Sequence, residues 1–364
     1  MHTGIANLPL HGGRAPAWLF SRMVRLAREI VRHVIAEFGA DEMLRRLSDP
    51  FWFQAMGCVL GFDWHSSGVT TTTCGAIKEG IKGMERELGF VACGGKGAVS
   101  RKTPQEIAGH CERLSTDPGA LVYASRLSAK VDNACVQDGY QLYHHCFFFT
   151  ASGKWCVVQQ GMSDATGMAR RYHWLGEKTT CFVNEPHAAV CCDATQTTLN
   201  LVASESEASR AASALIAAQP SKETLLALEK LPRLDLPGRH PVCVDDINPA
   251  YLEKILLKTY ERQPQDFESL VGTEGVGPKT LRALALAAEL IYGAKASTRD
   301  PARFSFAHGG KDGIPYPVDR AAYENTITVL HDALDRARVD RSDKAAALKR
   351  LAGIERRRET EPGW

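Results

Sequence analysis

The segment that most restricts the fold is a pair of strand-like runs joined by a short turn. Residues 140–149 read Tyr-Gln-Leu-Tyr-His-His-Cys-Phe-Phe-Phe, Ala151-Ser152-Gly153 make a turn, and residues 155–160 read Trp-Cys-Val-Val-Gln-Gln. Aromatic and β-branched residues fit a pleated surface, and a few turn residues can join only antiparallel neighbours. The spacing therefore predicts a β-hairpin. A third strand is expected at residues 170–174, because Ser163 to Met168 is turn-rich. His144 and His145 are adjacent in the first strand, so they face opposite sides and cannot both serve one site. Depending on turn length, Gln159 or Gln160 lies across from one of them.

Helical patterns surround this sheet. Between Trp18 and Leu47 apolar residues recur at Phe20, Met23, Val24, Ala27, Ile30, Val31 and Val34, which is helical spacing. A second helix is expected after Ser66-Ser67, and a third over residues 121–137, with Leu121, Ala124 and Val131 toward the core. The outer side of the third carries Arg126, Lys130, Asn133 and Gln137 in one stripe of groups able to bind phosphate or base edges. A solvated helix face would look the same. Residues 1–200 thus read as an α+β domain. Prolines at 220, 232, 237 and 241 mark a linker over 201–245, after which Asn248-Pro249 starts an all-α domain over 246–335. Residues 336–364 form a basic tail, with nine basic residues against three acidic between 336 and 358.

Composition excludes more than it identifies. With 44 Lys and Arg against 42 Asp and Glu the net charge is +2, so any site for a polyanion must be a local patch. Eleven cysteines without regular spacing predict buried thiols in a reducing, cytoplasmic setting, and no paired spacing supports a structural zinc. No stretch approaches a membrane span, and no membrane partner is expected.

Residues 267–281 carry a sharper signal. A short apolar-anchored helix leads into Gly275-Val276-Gly277-Pro278-Lys279-Thr280, and a second helix follows with Leu281, Leu284, Ala285, Ala288 and Ile291 on one side. The glycines permit a sharp path and keep side chains away from backbone amides, while the second helix presents a partly positive end with Lys279 beside it. Val276 is expected between the helices. These residues resemble the helix-hairpin-helix family of nucleic-acid-binding motifs, departing from it at Thr273 and Glu274. The resemblance implies sequence-independent backbone binding through Gly275, Val276, Gly277, Lys279 and Thr280.

Over its whole length the chain also resembles the domain of unknown function seven-six-three family. The resembling segments include Gly4-Ile5-Ala6-Asn7-Leu8-Pro9, Asp63-Trp64-His65-Ser66-Ser67, Ala129-Lys130-Val131-Asp132-Asn133, Gln159-Gln160-Gly161-Met162 and Arg170-Arg171-Tyr172-His173-Trp174. That resemblance implies a DNA-related, nucleolytic role and names no reaction.

A metal-dependent phosphodiesterase needs two or more carboxylates around Mg²⁺ or Mn²⁺. Asp63, Asp132 and Asp138 are the candidate ligands, and Asp132, Asp138 and His144 the candidate catalytic set; Glu185 and His187 are further candidates. Lys96, Arg101 and Lys102 could touch phosphate, with Arg126 and Lys130 from the stripe. The expected partner is DNA, with RNA as the other polyanion such contacts suit. Two alternatives stay open: a DNA-binding scaffold without chemistry, and a glycosylase or lyase in which Lys279 forms a Schiff base and Asp319 assists.

Overall fold

A computed structural model of the chain describes residues 15–62, 67–192, 195–218, 249–302 and 320–360. Five antiparallel strands make the central sheet: β1 (Phe90–Lys96), β3 (Gln141–Thr150), β4 (Trp155–Ser163), β5 (Met168–Leu175) and β6 (Ala189–Cys191), in the order β1-β3-β4-β5-β6. The expected hairpin is β3–β4 and the expected third strand is β5. A two-residue pair, β2 (Val136–Gln137) with β7 (Leu199–Asn200), stands apart. Register settles the histidines: His144 pairs with Gln160 and His145 with Gln159, and a bulge intervenes between Leu142 and His144.

Side-chain alternation gives the sheet two buried faces, because helices cover both. Phe90, Ala92, Cys146, Phe148, Cys156 and Val158 share one core with α1 (Ala17–Phe38), α2 (Ala40–Ser48), α3 (Pro50–Leu60) and α4 (Gly68–Gly80). Val91, Cys93, Phe147, Phe149, Val157 and Trp174 share the other. That second core is built with α6 (Thr103–Leu114), α7 (Pro118–Ala134), α8 (Glu207–Ala218), α9 (Pro249–Arg262), α10 (Phe267–Gly272) and α11 (Pro278–Tyr292); the four-residue helix Glu85–Leu88 is α5. The last helices, α12 (Arg320–Arg336) and α13 (Arg341–Thr360), return to the first face through Leu330, Leu334 and Leu351. An α+β N-terminal region is therefore followed by helices that cap both faces of its sheet.

Where the sequence pattern and the elements differ, the cause is local. The apolar period over 18–47 runs through a break at Gly39, whose φ of +88° ends α1 and starts α2. Helix α3 has no amphipathic period because all but Pro50 of its residues are buried, leaving no polar face to read. Residues 207–218 fall in the expected linker yet form α8, since alanine is a strong helix former and Ser209 and Ser213 are buried with it. Nine of the ten cysteines among the described residues are buried and none is in a disulfide. No helix among the described residues is long and apolar enough to cross a membrane.

Candidate functional site

Helix α7 positions most of the site. It is started by Asp117, whose carboxylate accepts from the Gly119 amide at 3.0 Å, and by Pro118 in the first turn. Leu121, Ala124, Leu127 and Val131 are buried against the sheet. The stripe on its outer side does two jobs. Lys130 Nζ donates to the Thr273 carbonyl at 2.5 Å, and Gln137 Nε2 donates to the Pro278 carbonyl at 2.8 Å while its Oε1 accepts from Arg282 at 2.7 Å. These side chains fix the turn between α10 and α11 against α7. Burial lowers the Lys130 pKa. Arg126 and Asn133 stay exposed.

Beside this stripe lies an open groove of about 600 Å³, between α7, the start of β3 and residues 100–105. Arg101, Arg126, Lys130 and Asn133 line it together with Ser125, Tyr143, His144 and His145, and among the described residues no Asp or Glu does. Lys96 adds a cation 5.6 Å from the centre of the Tyr143 ring. Neither Arg101 nor Arg126 has an acidic partner among the described residues. An acid-free, cation-lined concavity holds a positive potential suited to phosphate whatever the net charge of the chain.

Under the groove runs a chain of buried polar groups. Ser125 and Asp132 are seven residues apart on α7, two turns, and so share its sheet-facing side. His145 and Gln159 are cross-strand neighbours on the face they meet. Ser125 Oγ is 2.9 Å from His145 Nε2, and His145 Nδ1 is 2.8 Å from Gln159 Oε1. Gln159 Nε2 donates to Asp132 Oδ2 at 2.6 Å, as Trp174 Nε1 does at 2.9 Å, and His187 Nε2 lies 2.5 Å from Asp132 Oδ1. Burial pushes His145 down to about 4, so its ring is neutral near pH 7.

The carboxylates expected to hold a metal are committed elsewhere. Both Asp132 oxygens are occupied by protein groups, three in all. Asp138 is buried in a separate network: Arg170 donates to it at 2.8 Å, Tyr172 at 2.7 Å and the Tyr140 amide at 3.1 Å, and Arg170 also reaches Asp300 at 2.9 Å. His144 shares the opposite sheet face, that of Cys146 and Phe148, and burial takes its pKa down to about 3. The expected set of Asp132, Asp138 and His144 is thus not brought to one point, because the helix ends at Ala134 and the strand alternation turns His144 away. Among the described residues no three His, Cys, Asp or Glu side chains group as a metal site requires. Asp63 and Asp319 lie outside the described residues. Glu185 is placed by the Ser204 amide, 3.1 Å away, and forms no part of the Asp132 network.

The turn from 273 to 278 joins α10 to α11. Asp266 and Ser269 cap α10 reciprocally, Val276 is buried between the helices, and Gly275 has a φ of +91° with Ile255 packed where a Cβ would stand, 2.9 Å away. Gly277 precedes α11 with extended backbone and open space around its Cα. Lys279 is exposed, whereas Thr280 is buried, so its hydroxyl is not presented to solvent. The charge of Glu274 is offset by Lys258 at 3.1 Å and Arg262 at 4.0 Å. Arg101 is among the cations expected to touch phosphate, whereas Ser125 enters the site only through tertiary packing, its one sequence signal being its two-turn spacing from Asp132.

A model of the family described as protein of unknown function (DUF763) matches residues 4–318, and the chain belongs to that family. No curated protein and no solved structure matches it.

Proposed function

We propose that this DUF763 protein binds nucleic acid, DNA in the first instance, along one continuous surface made of the α7 groove and the turn between α10 and α11. The observation that carries the reading is the groove itself: Arg101, Arg126, Lys130 and Asn133 surround a concavity that no carboxylate among the described residues lines. Lys130 joins its two halves, lining the groove while its ammonium holds the Thr273 carbonyl. On this reading residues 267–292 act as a helix-hairpin-helix, with Gly277 and Lys279 toward the phosphates. Contacts of that kind take hold of the backbone and do not discriminate bases, so affinity falls steeply with salt.

Gly277 supplies the test. A Cβ there meets no atom within 4 Å and the backbone is extended, so Gly277→Phe is expected to fold while placing bulk where a phosphate would sit. Fluorescence anisotropy with labelled single- and double-stranded oligonucleotides should show affinity lower by about tenfold or more, the loss of one or two charge-assisted hydrogen bonds. Unchanged affinity in a variant with an unchanged melting temperature removes the turn from the surface.

A further inference from the structure

We infer that Ser125 is a nucleophile for phosphoryl transfer, with His145 as its general base. The proposal rests on the groove's binding a phosphodiester, and adds what is done to it there.

Hydrogen-bond direction along the buried chain leaves one consistent assignment. Asp132 as a carboxylate only accepts, so the Gln159 group 2.6 Å from its Oδ2 must be the amide nitrogen. Gln159 therefore turns its carbonyl oxygen, which also only accepts, toward His145 Nδ1 at 2.8 Å. The proton of the neutral imidazole must then sit on Nδ1. Nε2 is left with its lone pair, and the hydroxyl of Ser125, 2.9 Å away, has to donate to it. A serine hydroxyl aimed at the free nitrogen of an imidazole, whose far nitrogen is held by a fixed acceptor, is the arrangement that activates a hydroxyl nucleophile. Asp132 and Gln159 are positioning residues here: they set the tautomer without touching substrate. Trp174 and His187 hold the Asp132 carboxylate in place from its other sides.

Location selects the substrate class. Ser125 and His145 line the cationic groove beside Arg101, Arg126 and Lys130. An anionic ester of phosphate is what this lining would retain, and its charge grows on the non-bridging oxygens as attack proceeds. In the step, Ser125 Oγ forms a bond to phosphorus and the bond from phosphorus to one nucleoside oxygen breaks. The hydroxyl proton passes to His145 Nε2 and from there to the departing oxygen, giving a free hydroxyl and a phosphodiester on Ser125. Attack by water, or by another hydroxyl, on that phosphorus returns the serine through the same proton path. No oxidant, reductant or further co-reactant is needed.

The experiment uses the full-length chain and an alkyl fluorophosphonate, which phosphonylates activated serine hydroxyls with release of fluoride. Intact mass and peptide mapping should place one adduct on Ser125, absent in Ser125→Ala. Labelling should slow by about a hundredfold or more in His145→Gln, the usual contribution of a general base. A phosphodiester oligonucleotide that fills the groove should protect Ser125 in the wild-type chain, a readout that needs no variant. An unmodified Ser125 in wild-type protein that still binds the oligonucleotide overturns the nucleophile and leaves the binding proposal intact. Labelling of Ser125 with no oligonucleotide binding or protection overturns the binding proposal and the substrate class.

Discussion

Replacing His144 by Leu should stabilise the protein, and by more in acid than at neutral pH. Both ring nitrogens of His144 are buried without a hydrogen-bond partner among the described residues. Removing them at similar volume should recover about 1 kcal/mol or more of desolvation cost at pH 7.5. The pH dependence follows from linkage. In the unfolded chain the ring titrates near its ordinary 6.5, whereas burial takes the native value down to about 3. Above pH 6.5 the ring is neutral in both states and contributes no pH dependence. As pH falls below 6.5 the unfolded state takes up a proton that the native state refuses, so stability drops by about 1.4 kcal/mol per pH unit until the native value is reached. Between pH 6.5 and pH 5 that is about 2 kcal/mol, and the leucine variant does not lose it. Urea unfolding of both proteins at pH 7.5 and pH 5 should thus give a stability difference about 2 kcal/mol larger in acid, with m-values unchanged. Other groups titrate alike in both proteins and cancel in the comparison. A difference that is the same at both pH values, or an NMR titration of His144 near 6.5, refutes the reasoning.

Three further outcomes follow from the same contacts. Arg126→Ala should weaken oligonucleotide binding and lower the slope of log affinity against log salt by about 1, the loss of one phosphate contact; an unchanged slope places Arg126 outside the interface. Asp138→Ala leaves Arg170 buried with Asp300 as its remaining carboxylate and should cost about 3 kcal/mol, at the lower end for a broken buried pair, in thermal or urea unfolding. Asp132→Asn gives Gln159 a neighbour that can donate as well as accept, so the His145 tautomer is no longer fixed; fluorophosphonate labelling of Ser125 should slow by about a hundredfold or more while circular dichroism stays native, and an unaltered rate removes Asp132 from the positioning chain.

The hairpin and third strand were legible because their residues alternate along strands whose turns are short. The turn at 275–277 was legible for a related reason: only glycine suits φ of +91° at Gly275 with Ile255 packed against it. Helix α3 was not, since a segment buried on all sides has no period to detect. The candidate site divides in the same way. Arg126 and Lys130 could be placed on one helical stripe by counting, but that Lys130 is half spent on Thr273 depends on a partner 143 residues away. Asp132 is a candidate metal ligand in the sequence, whereas its partners in the fold are Gln159, Trp174 and His187, because carboxylates that bind metal and those that orient an amide look alike in sequence. Gln159, expected only to lie across from one of the histidines, is the residue that ties Asp132 to His145.

The placement of polar groups inside the sheet bears on whether the buried chain is structural or chemical. Ser125, His145, Gln159 and Asp132 occupy positions between a helix and a sheet where apolar side chains would pack with less desolvation cost, and a satisfied polar network in such a place is seldom the most stable choice. Structural need does account for the Asp138 cluster: Arg170 links β5 to the segment after α7 and to Asp300 far along the chain, so the ion pair ties three parts of the fold together. The Ser125 chain makes a comparable tie only at its Asp132 end, which joins α7 to Gln159, Trp174 and His187. Its first member comes from α7, already fixed to the sheet by Leu121, Leu127 and Val131, and the chain ends at a groove rather than at another element. Stability accounts for the Asp132 end, and the proposed chemistry of the Ser125 hydroxyl accounts for the other, where the hydrogen bonds run through His145 to one hydroxyl at a cationic surface.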